Sequence, residues 1–185
     1  MKKSTKIIIG IAVVAFIGWV ALSSSGTSQK PVAGAGAVSV VTQNALAPNA
    51  VFTTIDGKQT ALSAFKGKKV MLWLVATWCS SCSEGARVLS QNEKALGNLT
   101  IITLKTYGNA GYPGPSIKTF AEQSAPKMLL AKNWLWGNAS QNMARTYNPR
   151  NYPDIYFLID KKGIVREVSD APAATIGSII KFANE

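Results

Sequence analysis

Residues 70–82 read VMLWLVATWCSSC. The apolar run Val70 to Ala76 is too short for a typical helix and has no polar face. It reads as a strand buried on both sides in a parallel-type sheet. A helix is expected to open at Cys79 or Ser80 and to run to about Leu96, closed by Gly97. Ala86, Leu89 and Leu96 then fall near one face with Cys82. Cys79 and Cys82, the chain's 2 cysteines, thus stand at i and i+3 where a buried strand gives way to a helix. There Cys79 would face unpaired backbone N–H groups and the positive end of the helix dipole. Both favour the thiolate, which is the nucleophilic form. One helical turn brings Cys82 close enough to form a disulfide, or to attack a mixed disulfide on Cys79. Ser80 and Ser81 add hydroxyl and backbone donors around that sulfur. A structural disulfide would usually close a longer loop, because it acts by constraining the unfolded chain. Two thiolates with no histidine leave a structural metal short of its four ligands. Redox pair, structural staple and metal site are the three readings, and the first uses most of the placement.

Outward from this stretch, Val51–Ile55 and Lys58–Leu62 flank Asp56-Gly57 as a hairpin with an Asp-Gly turn. Ser63–Gly67 reads as one helical turn ended by glycine, and Leu99–Leu104 as a second buried strand. A helix is expected at Ser116–Gln123, a short strand at Lys127–Ala131, and a helix at Ala139–Tyr147 stopped by Asn148-Pro149. Ile155–Ile159 is a strong strand that Asp160–Gly163 turns into Ile164–Val168, and Ala173–Asn184 forms a last helix. The order predicts an α/β fold, a mixed central sheet flanked by helices with an N-terminal β-hairpin extension.

Residues 23–46 (SSSGTSQKPVAGAGAVSVVTQNAL) carry too little apolar surface to repay their ordering. They read as a flexible linker, which places the folded domain at 47–185; Val38 to Val41 has some strand character. Before the linker, Lys2, Lys3 and Lys6 precede the uncharged run Ile7–Leu22, which is 16 residues long. That length lies between a signal-peptide core of about 7–15 residues and a spanning helix of roughly 17–25. Residues 1–22 are therefore a membrane anchor, with Trp19 at the outer interface, or a signal peptide cleaved near Ala21 and Ser23. No cysteine follows to carry a lipid, and a core helix would need a polar face. Lysines before the run, with only Lys30 after it until Lys58, place the body outside the cytoplasm.

The composition, 47% hydrophobic and 16% charged over 185 residues, excludes a disordered chain and a multi-span membrane protein. The net charge of +11 raises nucleic-acid binding. Yet the basic residues are scattered, with Lys66, Lys68 and Lys69 the tightest group, and no basic stripe is interleaved with aromatics. A solvated basic surface with some attraction to anionic lipid accounts for them. The absence of histidine excludes Ser-His and Cys-His nucleophiles and imidazole metal sites.

Ala47-Pro48-Asn49, Phe52, Asp56-Gly57-Lys58, Leu62-Ser63 and Phe65-Lys66-Gly67-Lys68, leading into VMLWLVATWCSSC, resemble the TlpA/ResA group. This is a group of thioredoxin-like, membrane-anchored or exported thiol-disulfide oxidoreductases. YNPRNYPDIYFLIDKKGIV (147–165) resembles that group's cis-proline loop, central strand and β-turn, while Tyr107–Asn138 does not align. The resemblance implies a thioredoxin-like fold, Cys79 as the attacking thiol and Cys82 as the resolving thiol, with Trp78 shielding the pair. It makes Pro153 the cis-proline, whose loop, with Tyr152 and Asp154 beside it, presents backbone groups to an extended substrate strand. It also implies no bound cofactor and no metal, electrons being held in the Cys79–Cys82 disulfide. Partners would be protein thiols and disulfides and a membrane protein that donates or accepts electrons.

The chain departs from the group at several points. Gly85 stands where a glutamate is frequent, and Glu84, one residue early, lies off the cysteines' face of the helix. Trp73 occupies the position of the usual buried acid of thioredoxins. Asp154 replaces a common threonine, where its charge disfavours the Cys79 thiolate or its side chain caps the strand. Tyr152, Trp134 and Trp136 are groove aromatics or core aromatics. Tethering and resemblance favour a reductant, with apocytochrome c cysteines as an example of its targets. A disulfide oxidase or isomerase, a non-catalytic binding module and a peroxiredoxin-like peroxidase are the alternatives. For the last, Thr77 and Arg87 lack the required spacing.

Overall fold

The computed structural model describes residues 41–185. The anchor or signal at 1–22 and most of the linker lie outside the described residues. Among the described residues, no helix is long and apolar enough to cross a membrane. Strands β1 (Val51–Thr54), β2 (Gln59–Ala61), β3 (Val70–Val75), β4 (Thr100–Lys105), β5 (Trp134–Ala139), β6 (Asp154–Ile159) and β7 (Val165–Ser169) form one sheet. Its order is β2-β1-β5-β4-β3-β6-β7. β3 pairs parallel with β4 and antiparallel with β6, and β4 pairs parallel with β5. β1 runs antiparallel to both β2 and β5, and β7 antiparallel to β6, so the sheet is mixed as expected. The helices are α1 (Ser80–Gln91), α2 (Glu93–Leu96), α3 (Ile117–Ser124), α4 (Gln141–Tyr147) and α5 (Ile176–Asn184).

β3 explains the unbroken apolar run. All its residues are buried, and alternation sends them to two cores. Met71, Trp73 and Val75 join Cys82, Ala86, Leu89, Phe120 and Ile179 from α1, α3 and α5. Val70, Leu72 and Leu74 join Phe52, Met143, Tyr147 and Phe157 around α4. Each such buried side chain contributes about 1.5–3 kcal/mol of transfer free energy, so the end of β3, where the cysteines follow, is firmly placed.

Four expectations need correction. The strand expected at Lys127–Ala131 is a 3₁₀ turn at Pro126–Met128 followed by irregular chain, since Pro126 lacks a ladder N–H and fixes its own φ. The strand lies further on at Trp134–Ala139, and Ala139 belongs to it rather than to the next helix, which Ser140 caps by accepting from Met143 N at 3.1 Å. Gly137 sits within this strand because a Cβ there would overlap the Thr53 carbonyl oxygen of β1. The helix after the cysteines breaks at Asn92, whose Nδ2 donates to Val88 O at 2.8 Å, before α2 carries it to Gly97.

The fourth correction concerns the linker, whose last residues are docked. Asn44 N donates to Val165 O (2.7 Å), Val165 N to Ala45 O (2.9 Å) and Ala47 N to Gly163 O (2.8 Å). Val41 is buried among the α4-side core. One apolar side chain and two of these backbone bonds, those of Asn44 and Ala45, fix what its composition reads as tether.

Candidate active site

β3 ends against β6, and the next residues are held by backbone bonds. Ala76 N donates to Pro153 O (2.7 Å) and Cys79 N to Ala76 O (3.1 Å). Cys79 is the N-cap of α1, with extended φ/ψ, and its Sγ accepts from Cys82 N at 3.4 Å. The expected helix mouth is therefore where the sequence places it. Both cysteines are thiols here. Cys79 is 7% exposed and Cys82 0%, so the first cysteine touches solvent and the second does not. Cys82 Sγ donates to the Pro153 carbonyl at 3.1 Å. Burial, then the charge of Asp154, then Cys79 push the Cys82 thiol far above its ordinary range.

Asp154, the first residue of β6, lies opposite Val75 in register. Its Oδ1 accepts from Trp73 Nε1 at 2.7 Å and its Oδ2 from Ser81 Oγ at 3.2 Å. Burial raises its pKa above the usual aspartate value, against the opposing effect of those two hydrogen bonds. The Cys79, Cys82 and Asp154 donor atoms all lie within 4.8 Å of one another. Those three side chains supply two sulfurs and one carboxylate, one ligand fewer than the four of a closed structural metal site.

The departures at Trp73 and Gly85 are one packing event. A Cβ on Gly85 would meet the Trp73 ring at 3.1 and 3.2 Å and Pro172 Cδ at 3.3 Å. The indole fills the room in which a longer side chain at 85 would lie, and its N–H fixes a carboxylate supplied from β6 instead. Glu84 is exposed and pairs with Arg87, which holds its carboxyl below the ordinary range. It takes no part in the site. Ser80 is exposed at the start of α1. Trp134 and Trp136 stack at 4.9 Å with both indoles buried, donating to Thr103 Oγ1 and Met128 O. They are core residues and line no groove beside the cysteines.

Two asparagines to which the sequence reading gives no role at the site complete it. Asn109 Oδ1 accepts from Thr77 N (2.8 Å), its Nδ2 donates to Tyr112 O (2.8 Å), and its carbonyl accepts from Trp78 Nε1 (2.7 Å). Trp78, 41% exposed, also meets Tyr112 edge-on at 5.2 Å. Asn148 grips Tyr152 by both polar backbone atoms, accepting from its N–H (2.8 Å) and donating to its C=O (2.7 Å). That leaves the Tyr152 ring 44% exposed next to Pro153. Asn148 could be suspected from its place before Pro149. Asn109 sits in a Gly-rich loop with no periodicity to expose it.

The Redoxin family model matches residues 42–178. Thioredoxin-like protein YneN of Bacillus subtilis (strain 168) is 24% identical over 161 residues, covering 86% of each chain. The thiol-disulfide oxidoreductase ResA of Geobacillus kaustophilus is 25% identical over 172 residues, covering 91% of this chain and 89% of that protein. Among solved structures, a thioredoxin-like protein from Aeropyrum pernix superposes with a TM-score of 0.57 at 23% identity, over 72% of this chain and 88% of its own. The Redoxin match takes in the sheet, α1 and both loops around the cysteines, and its full-length relatives include a named disulfide-exchange enzyme. The chain therefore belongs to the Redoxin family, as a thioredoxin-like thiol-disulfide oxidoreductase of the ResA type.

Proposed function

We propose that the chain is an extracytoplasmic reductant of protein disulfides, held at the membrane through residues 7–22 on the linker that follows. Lysines gathered before that run support this orientation. Cys79 attacks a substrate disulfide that lies along Tyr152-Pro153, and a mixed disulfide forms. Cys82 then attacks Cys79 Sγ, the substrate leaves as a dithiol, and the Cys79–Cys82 disulfide remains. A membrane electron-donor protein returns the two electrons, and no bound cofactor takes part. Incompletely folded polypeptides with paired cysteines, apocytochrome c among them, are the substrate class.

The observation that carries the direction is Asp154. A carboxylate beside the pair makes an anionic Cys82 costly, and the ion pairs of the described residues put no cation on it. Strong oxidants of this chemistry owe their potential to a stabilised reduced form, and this site has the opposite electrostatics. Titration against glutathione should give a potential nearer to about −270 mV than to about −120 mV; the latter value would reverse the direction. Cys82→Ser should trap mixed disulfides with envelope proteins and Cys79→Ser few or none. Protease added to spheroplasts should digest the domain, and full protection would refute the topology.

A further inference from the structure

We propose that the Ser81 hydroxyl is a proton conduit between the Cys79 thiol and the Asp154 carboxylate, so that the three side chains act as one proton-transfer unit in disulfide exchange. The inference takes from the preceding reading only that Cys79 is the attacking sulfur.

Ser81 Oγ lies 3.0 Å from Cys79 Sγ and 3.2 Å from Asp154 Oδ2. Chemistry sets the direction of both bonds. An ionised carboxylate only accepts, so the single hydroxyl proton points to Asp154, and the oxygen's lone pair is left for the Cys79 S–H. Asp154 Oδ1 is already taken by the Trp73 indole, which leaves Oδ2 as the oxygen that receives a proton. The charged and titratable groups facing the carboxylate are Cys79 and Cys82 from α1 and Asp170 from the segment after β7. None is a cation that would keep the proton away. Ser81 itself is exposed, and a surface hollow lined by Tyr152, Ile155, Val168, Ser169 and Asp170 reaches Asp154. The proton therefore has an exit to water at Ser81 and at Asp154.

In the first step the Cys79 proton moves to Ser81 Oγ as the Ser81 proton moves to Asp154 Oδ2. The Cys79–substrate S–S bond forms, the substrate S–S bond breaks, and the departing thiolate receives the proton from Asp154, directly or through solvent. In the second step Cys82 passes its proton to the regenerated carboxylate and attacks Cys79 Sγ. The second substrate thiolate leaves and takes that proton. Two electrons have passed from the cysteine pair to the substrate, and Asp154 ends ionised as it began.

The test uses the reduced full-length protein and an aromatic disulfide whose released thiolate is coloured, with the adduct mapped by mass spectrometry. Ser81→Ala should slow attack at pH 7 by at least about tenfold, less than general-base assistance usually contributes because solvent also accepts the proton. Ser81→Thr, which keeps the hydroxyl, should stay within about threefold of the parent protein. The decisive arm is a double-mutant cycle: in an Asp154→Asn background, Ser81→Ala should cost less than about twofold, because the conduit then leads to no acceptor. Asp154→Thr gives a second background without a proton acceptor should the asparagine variant fold poorly. An equal Ser81→Ala cost with and without the carboxylate would show that the hydroxyl merely hydrogen-bonds the sulfur, and the relay falls while the attack assignment stands. Ser81→Thr as slow as Ser81→Ala also overturns it. If Cys82 carries the first adduct in the parent protein, the attack assignment fails and takes the relay with it.

Discussion

The loop 106–115 and the loop 148–154 both hold the site with a buried asparagine, and they do so by different means. Asn148 places its amide donor and acceptor on one residue, Tyr152, much as a paired strand would, and the chain runs straight on into β6. That loop contains a single left-handed non-glycine residue, Asn151 at φ +56°. Asn109 divides its amide between Thr77 and Tyr112, tying the end of β3 to a loop in which Gly108, Asn109, Ala110 and Gly111 are all left-handed. Left-handed backbone costs roughly 1–2 kcal/mol for a residue with a Cβ, and Ala110 bears that cost with no side-chain bond to offset it. One loop is therefore an extension of the sheet, and the other is a clasp that persists only because its hydrogen bonds over-determine it. The sheet extension carries Pro153 and Asp154; the clasp carries the aromatic cover of Trp78 and Tyr112.

This contrast can be broken by substitution. Asn109→Ala and Asn148→Ala should each destabilise the fold by about 3 kcal/mol, since each removes two side-chain hydrogen bonds to buried or part-buried backbone groups. Thermal unfolding would report that loss. The two should part in function: Asn109→Ala should change Cys79 alkylation, whereas Asn148→Ala should impair exchange with a disulfide-bonded protein more than with a small disulfide. Equal effects of both on both assays would erase the distinction between clasp and extension.

Gly114→Ala should cost less, about 1–3 kcal/mol, as overpacking does. Its Cβ would stand 2.7 Å from Thr77 Oγ1 and 2.8 Å from Asn109 Nδ2. Tyr112→Ala should cost about 0.5–1.5 kcal/mol beyond lost area, the worth of its edge-on contact with Trp78. A Trp78 fluorescence change without loss of the fold would confirm that the clasp positions the indole.

The smallest effect is a slope with pH. Burial raises Asp154 above its unfolded value, so the folded state holds this proton more tightly than the unfolded chain. The stability tied to it is complete below the ordinary aspartate pKa and is lost as pH rises through the raised folded one. Relative to the parent protein, Asp154→Asn should gain stability with pH across that window and then level off. Denaturant unfolding at several pH values measures the difference, and a constant offset would show that the carboxyl titrates as it does unfolded.

What could be read beforehand follows the same division. β3, β6 and the cysteine turn announce themselves through local pattern: an apolar run, a second run after a proline, and two sulfurs one turn apart. β5 is hard to read because Gly137-Asn138 interrupts its apolar residues, and the need for glycine there lies in Thr53, which is remote in sequence. Trp73 and Asp154 stand out in the sequence one by one, but only the pairing of β3 with β6 makes an indole the support of a carboxylate. Asn109 was out of reach for the same reason, since its partners are Thr77 and Trp78 across the sheet's end. The cysteine pair and its strand–helix junction were legible, and the side chains that hold the surrounding loops were not.

The unequal exposure of the two cysteines also bears on oxidative damage. An oxidant arriving from solution would reach Cys79 before Cys82, and a sulfenic acid formed there would be the first rung of damage. Cys82, sealed within the core, keeps its hydrogen and stands one helical turn away. Condensation of the two expels water and returns the ordinary disulfide before a second oxidation can make the damage permanent. Burying one member of the pair makes an accidental peroxide hit end in the same state as a completed turnover.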